Sequence, residues 1–315
     1  MSDQVMPRGI EHAHAWRAAD ITTSDWLREL PLDAARELTQ FAVAEGTALT
    51  AEHRAALPRT CEYIASVQHT LNEGVGFAVL DGVPVESVEE PRVRDYVWTL
   101  FSLIGRIVDQ KHTGTRIYDV RDTGKKAGYG VRRSITNDAQ EFHTDGGWLA
   151  RPPECIGLFC VHPAWSGGVN RVRSLVQAHN DMLEQTPELL HRLYRDFYWD
   201  RQAEHAPDEP KASSQPVFYI DGSGGVQARH YSDYVSKGHA LANATLDREG
   251  EEALAALVAH MERDEEWIEF TLKSGQFLVM KNRRLAHART AFEPTPAGEQ
   301  GRHLYRLWCR DEGAP

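Results

Sequence analysis

A histidine and an aspartate stand two residues apart at His143 and Asp145, inside the run Glu-Phe-His-Thr-Asp-Gly-Gly of residues 141–147. On an extended backbone, side chains two apart project from one face, so both can grip a single ion. The third donor must come from elsewhere, and His287 lies just beyond a predicted strand, in Leu-Ala-His-Ala-Arg-Thr-Ala-Phe, residues 285–292. Two imidazoles and one carboxylate, with the remaining positions open, are the ligand set of non-haem Fe(II) oxygenases. The open positions are where 2-oxoglutarate and dioxygen would bind. His-x-Asp alone recurs by chance, but here Gly146 and Gly147 allow close backbone approach, and a run of arginines at strand spacing follows the distal histidine.

Those arginines are Arg302, Arg306 and Arg310, four apart, with Leu304 and Trp308 on the same face of a predicted strand. The ordinary reading of such a row is a solvated basic face. Leu304 and Trp308 argue instead for an interior, where a guanidinium needs an anion, and a dicarboxylate co-substrate supplies one by bidentate pairing.

The elements that would position these groups follow from periodicity. Residues 33–44 and 51–71 carry apolar residues at helical spacing, so the first 72 residues are expected to form a helical region packed on the core. Residues 76–80 read as a short buried strand and 91–104 as an amphipathic helix. Residues 154–161 are apolar on both faces, as in a strand covered on two sides, and 169–175 form the next strand. A helix over 176–194, a strand near 197–201, a pair of strands within 216–231 and a helix over 246–263 come next. The chain then ends in strands at 268–272, 276–281 and 302–310. Helices first and strands later suit a mostly β chain with α (α+β), a double-sheet jelly roll with helical insertions, better than alternating βαβ units. No repeat or linker marks a boundary, so residues 1–315 are expected to form one domain, with 73–315 as its catalytic body.

Composition narrows the partners. At 41% hydrophobic and 26% charged, the 315 residues can bury a core. A net charge of −11 opposes binding to a phosphate backbone. No apolar run reaches the ~20 residues of a membrane span, and the N-terminus has no signal pattern. These features predict a cytoplasmic protein acting on a small molecule, with no nucleic-acid or membrane partner, while a homo-oligomer stays open. Cys61, Cys155, Cys160 and Cys309 form no CxxC pair and are read as reduced and structural.

The chain resembles the TauD/TfdA (taurine dioxygenase-like) family from about residue 76 to 310. The motifs that carry the resemblance are Phe-His-Thr-Asp-Gly at 142–146, Trp-Ser-Gly-Gly-Val-Asn at 165–170, Asn-Arg-Arg-Leu-Ala-His-Ala-Arg-Thr-Ala-Phe-Glu at 282–293 and Gly-Arg-His-Leu-Tyr-Arg-Leu-Trp at 301–308. The resemblance implies a double-stranded β-helix fold, with His143, Asp145 and His287 as iron ligands. It places Arg302 where the family pairs an arginine with the distal carboxylate of 2-oxoglutarate, and Arg306 as a second arginine facing substrate or co-substrate. Asn170 falls where the family commonly has a threonine or serine on that carboxylate; an amide can also donate there. The implied activity is a dioxygenase using Fe(II), 2-oxoglutarate and O2, releasing succinate and CO2 and most simply hydroxylating a small polar or carboxylate-bearing metabolite. Asp145 argues against halogenation, in which a small residue replaces the metal carboxylate. Desaturation, cyclisation or epoxidation would use the same ligands.

Rival readings have sequence consequences. A metal-dependent hydrolase or isomerase on the same three residues would leave Arg302 without a role, and a non-catalytic jelly roll would have no reason to keep the ligands and the arginine together. His12 and His14 sit in a polar N-terminal segment and read as surface residues. His162 and His230 read as hydrogen-bonded core histidines. Trp148 is expected either in the core or on the substrate pocket, and Thr136 and Asn137 either in a turn or on substrate. The polar segment 202–215 reads either as a lid over the site or as a surface insertion, with the lid the preferred reading.

Overall fold

The computed structural model describes residues 9–126, 128, 131–264, 266–294, 296 and 300–310. It is a mixed α/β structure of two principal sheets, two short ribbons and helices. In chain order the strands are β1 (Leu27–Glu29), β2 (Phe77–Asp81), β3 (Arg106–Val108), β4 (Tyr118–Arg121), β5 (Gln140–His143), β6 (Cys155–His162), β7 (Asn170–Ser174), β8 (Asp196–Asp200), β9 (Ala212–Pro216), β10 (Phe218–Ile220), β11 (Val226–Ala228), β12 (Ile268–Phe270), β13 (Phe277–Lys281), β14 (Leu285–Arg289) and β15 (His303–Arg310). The larger sheet runs β1-β2-β13-β6-β15-β3, with β4 also on β15, and the smaller runs β12-β7-β14-β5. Every pairing is antiparallel except β1 with β2.

Period-two alternation explains the layering. Ile156, Leu158 and Cys160 of β6, with Leu304 and Trp308 of β15, join Phe142, Val172, Ala286 and Ala288 of the smaller sheet in one core. Cys155 and Phe159, with Tyr305, Leu307 and Cys309, face the other way into a second core with Leu38, Val67 and Phe101. These last three lie on the helices α2 (Leu32–Phe41), α4 (Pro58–Asn72) and α5 (Glu90–Ile104), which follow α1 (Thr23–Trp26) and flank α3 (Ala51–Ala56). The expectation that 154–161 is covered on both faces is met. A Cβ on Gly157 would come within 2.7 Å of both Phe101 and Phe277, so only glycine allows that approach.

Several boundaries differ from the sequence reading. The helix expected over 51–71 divides at Leu57, whose φ of −125° leaves the α region because Pro58 follows. The helix expected over 176–194 divides the same way, before Pro187, into α6 (Leu175–Gln185) and α7 (Pro187–Leu193). The helical N-terminal region also contributes β1. Within 202–215 the chain is not wholly irregular, because β9 pairs with β8. The helix α8 (Ser232–Leu241) went unpredicted, and α9 (Arg248–Met261) completes the set. His14, read as a surface residue, is buried; its Nε2 meets the Leu71 carbonyl at 2.9 Å, and Trp16 beside it donates to Val75. Among the described residues, no helix is long and apolar enough to cross a membrane.

Candidate active site

β5 and β14 are adjacent antiparallel strands, and in their register His143 stands opposite His287. The imidazole centroids are 4.1 Å apart. The strand's pairing ends at His143, and Asp145 opens the turn that follows. That turn is tied down from both sides. Thr144 and His230 exchange hydrogen bonds, Thr144 N to the His230 carbonyl at 2.8 Å and His230 N to Thr144 Oγ1 at 3.0 Å. Asn282, fully buried, accepts from the Asp145 amide at 2.8 Å and donates to its carbonyl at 2.9 Å. The result is a buried trio whose donor atoms all lie within 4.8 Å of one another.

The electrostatics suit a cation. Burial holds His143 below the usual imidazole range and brings His287 down to about 3, helped by His143, so both rings are neutral donors at pH 7. Burial alone would push the Asp145 carboxyl up, but the Arg306 guanidinium, the two imidazoles and the Trp308 N–H bring it to about 2. His143 Nδ1 lies 2.8 Å from the Glu141 carbonyl and must carry the proton there, which leaves the Nε2 lone pair facing the Gln140 amide at 2.8 Å. Two neutral imidazoles and an ionised carboxylate fit a divalent first-row ion.

Around the trio, Arg132, Gln140, Trp148, Tyr234, Arg306 and Trp308 line a cavity of about 20 Å³. Arg306 reaches Asp145 at 3.3 Å and donates through Nε to Gln110 at 2.8 Å. Arg302 lies just before the start of β15, outside the strand on which the sequence reading set it, and is 6% exposed, with its guanidinium over the Phe292 ring at 5.4 Å and its Nη1 buried without a hydrogen-bond partner. Burial lowers its pKa to about 10, so it remains charged at neutral pH. Gly168, in left-handed backbone at φ 67°, passes so close that a Cβ there would meet Arg302 Nε at 3.4 Å. Asn170, two residues on, sits between Phe270 and Arg289 in the sheet and donates weakly to the Phe270 carbonyl at 3.4 Å. Arg310, the third of the predicted row, is only partly buried and donates to the Arg151 carbonyl.

The remaining candidates separate. Trp148 is buried and lines the cavity. Thr136 and Asn137 form a turn that ties to Arg289 and Phe292. His230 is buried beside the trio, with a pKa near 3 through burial and then His143, and His162 is half-buried at the end of β6. Gln140, Arg132, Tyr234, Asn282 and Arg289 were not singled out from sequence. Only Arg289, two residues beyond His287 on the same face, had a spacing signal that could have found it.

A family model described as taurine catabolism dioxygenase TauD, TfdA family matches residues 37–308. FR-33289 synthase of Streptomyces rubellomurinus is 25% identical over 325 residues, spanning 98% of this chain and 92% of the relative. A uridine-5'-phosphate dioxygenase from a Streptomyces species is 29% identical over 170 residues, 51% of this chain and 58% of that protein. Among solved structures, asparagine oxygenase in complex with Fe(II), 2S,3S-3-hydroxyasparagine and succinate superposes with a TM-score of 0.68 at 19% identity, covering 90% of this chain and 93% of that one. The non-haem iron oxygenase OrfP in complex with Fe, succinate and (3S)-hydroxy-L-Arg gives 0.68 at 12% identity, with coverage of 91% and 94%. At these identities the two structures speak for the fold.

Proposed function

This chain belongs to the taurine catabolism dioxygenase TauD, TfdA family and is a non-haem iron dioxygenase using Fe(II), 2-oxoglutarate and O2, and we propose that it hydroxylates a small polar or carboxylate-bearing metabolite. His143, Asp145 and His287 would hold the iron, and Arg302 the distal carboxylate of 2-oxoglutarate. The observation that carries this reading is the Arg302 guanidinium: charged, buried and with Nη1 lacking a hydrogen-bond partner, it is matched by a dicarboxylate co-substrate. Support for the two principal sheets being the faces of one double-stranded β-helix, and for a single domain over 1–315, comes from the core that both sheets share.

When bound, iron and 2-oxoglutarate supply an oxidative decarboxylation that yields succinate and CO2 and oxidises a substrate C–H bond. The chain's own residues set the stage for it. Trp308 and Arg306 hold the Asp145 carboxylate in one orientation, and the Glu141 carbonyl fixes the His143 tautomer. Arg302 and Gly168 shape the co-substrate end, with Asn170 an added donor close by. Arg306 is assigned here to orienting Asp145 rather than to the co-substrate, because its charge already meets that carboxylate. The small polar amino acids named with the similar structures, hydroxyasparagine and hydroxyarginine, are in keeping with a polar metabolite as substrate.

The test is an anaerobic titration of Fe(II) into the apo-protein with 2-oxoglutarate, watching for the weak visible charge-transfer band of an iron-chelated keto acid. Wild type should give the band. Arg302→Ala should need at least tenfold more 2-oxoglutarate to reach it, and His143→Ala should bind no iron. Metal binding by the wild type that never responds to 2-oxoglutarate would return the site to hydrolase or isomerase chemistry.

A further inference from the structure

The metal cavity, at about 20 Å³, has room for little more than one water. A metabolite can enter only if a group now in place gives way. One cation of that cavity has an unusual partner. Arg132 is 7% exposed, lies over the Trp148 indole at 5.3 Å, and has a buried Nε without a hydrogen-bond partner. Its Nη2 lies 2.8 Å from Glu204 Oε1, but at angles that do not make a hydrogen bond. Arg306 is engaged by Asp145 and Gln110, and Arg302 is not on this cavity, so Arg132 is the lining cation whose counter-charge comes from outside the site.

Glu204 belongs to the 201–211 stretch between β8 and β9. The chain reaches it through Gln202 and Ala203, at φ 52° and 58°, a left-handed conformation that side-chain-bearing residues rarely adopt. Asp200 secures this turn by accepting from the Gln202 amide at 2.7 Å. Gln202 in turn lines a second cavity of about 110 Å³ that shares Tyr234 with the metal cavity. The stretch therefore borders that second cavity, and its Glu204 carboxylate lies 2.8 Å from Arg132 and 4.0 Å from Lys111. A carboxylate held this way occupies the place an acidic group of a ligand would take.

We propose that Arg132 is the residue that binds an acidic group of the substrate, and that Glu204 is a built-in placeholder which that group displaces. The proposal rests on the function argued above and narrows its substrate to one bearing an oxyanion. A guanidinium recognises carboxylate and phosphonate alike through paired N–H donors, so the shared chemistry is a compact oxyanion on a small metabolite. Displacement exchanges one ion pair for another, so the buried charge of Arg132 is never left bare, which is the condition for an anion to enter a buried site at low cost. An electroneutral substrate would have no charge with which to displace Glu204.

The test uses the full chain with Fe(II) and 2-oxoglutarate under anaerobic conditions, titrated calorimetrically with acetate and, separately, with methylphosphonate. Glu204→Gln removes the competing charge and should bind one of the two probes at least tenfold more tightly than wild type. Adding Arg132→Gln to that variant should erase the gain. The probe that responds identifies the acid class. Failure of Glu204→Gln to tighten either probe overturns the proposal, and so does a gain that survives Arg132→Gln. Glu204→Gln changes a partly exposed stretch and carries the test even if Arg132→Gln fails to fold. The charge-transfer band, read in the same samples, reports separately on the iron and co-substrate assignment.

Discussion

The indole N–H of Trp308 donates to Oδ2 of Asp145 at 2.7 Å, and Arg306 approaches the same oxygen at 3.3 Å. The carboxylate is thereby aimed before any ion arrives. Groups that orient metal ligands typically change affinity 10- to 100-fold when removed. Trp308→Phe keeps most of the buried ring and deletes the donor, so it should weaken Fe(II) or Mn(II) binding by about tenfold or more while the fold persists. Metal titration alongside far-UV circular dichroism decides it: unchanged affinity in a folded variant would remove Trp308 from the site.

Asn282 holds the Asp145 backbone through its N–H and its C=O, and also donates to the Pro153 carbonyl at 3.2 Å. Asn282→Ala would leave one buried amide and two carbonyls unpaired, at a cost of about 2–4 kcal/mol. The expected outcome is a fall in Tm of roughly 3–6 °C together with weaker metal binding, since the turn carrying Asp145 loses its clamp. A variant with wild-type Tm and wild-type metal affinity would mean the turn is held by other contacts.

Burial, then His12 and Arg284, brings His14 to about 3, and burial brings His179 to about 4, both from an unfolded value near 6.5. Between those limits the unfolded chain carries protons that the folded chain refuses. Stability must therefore rise with pH through this window and fall as pH drops from about 6.5 towards 4. Each histidine adds a slope of up to about 1.4 kcal/mol per pH unit. Urea midpoints measured across this range should fall less steeply in His14→Gln and in His179→Gln than in wild type. Parallel slopes in all three proteins would mean that these rings titrate normally.

What the sequence made legible was whatever could be expressed as spacing along a strand. His143 with Asp145, the distal His287 and the Arg302–Arg306 pair each announce themselves within a few residues of their own neighbours, and the structure brings the three proposed ligands together. The inward face of β15 was likewise readable from Leu304 and Trp308. Contacts created by folding were not readable: Arg132 meets Glu204 and Asn282 clamps Asp145 only after distant segments are packed. His14 looked exposed because its local sequence is polar, yet the partner that buries it is the end of α4, 57 residues on. Both divided helices carried their signal in Pro58 and Pro187, where the apolar periodicity runs on past a residue that cannot continue a helix.

The pairing of His143 with His287 also bears on how the molecule comes into being. The two are register partners in one sheet, yet 144 positions separate them in the chain (287 − 143). At typical synthesis rates the second follows the first by on the order of ten seconds. Throughout that interval the nascent chain offers an ion an unfinished grip, and ion capture must wait for β14 to dock between β5 and β7. A slip of one residue in that docking would set Ala286 or Ala288 opposite His143. Closing the smaller sheet in its correct alignment is thus the condition for loading the metal, and an ion bound there would report that the sheet has zipped correctly.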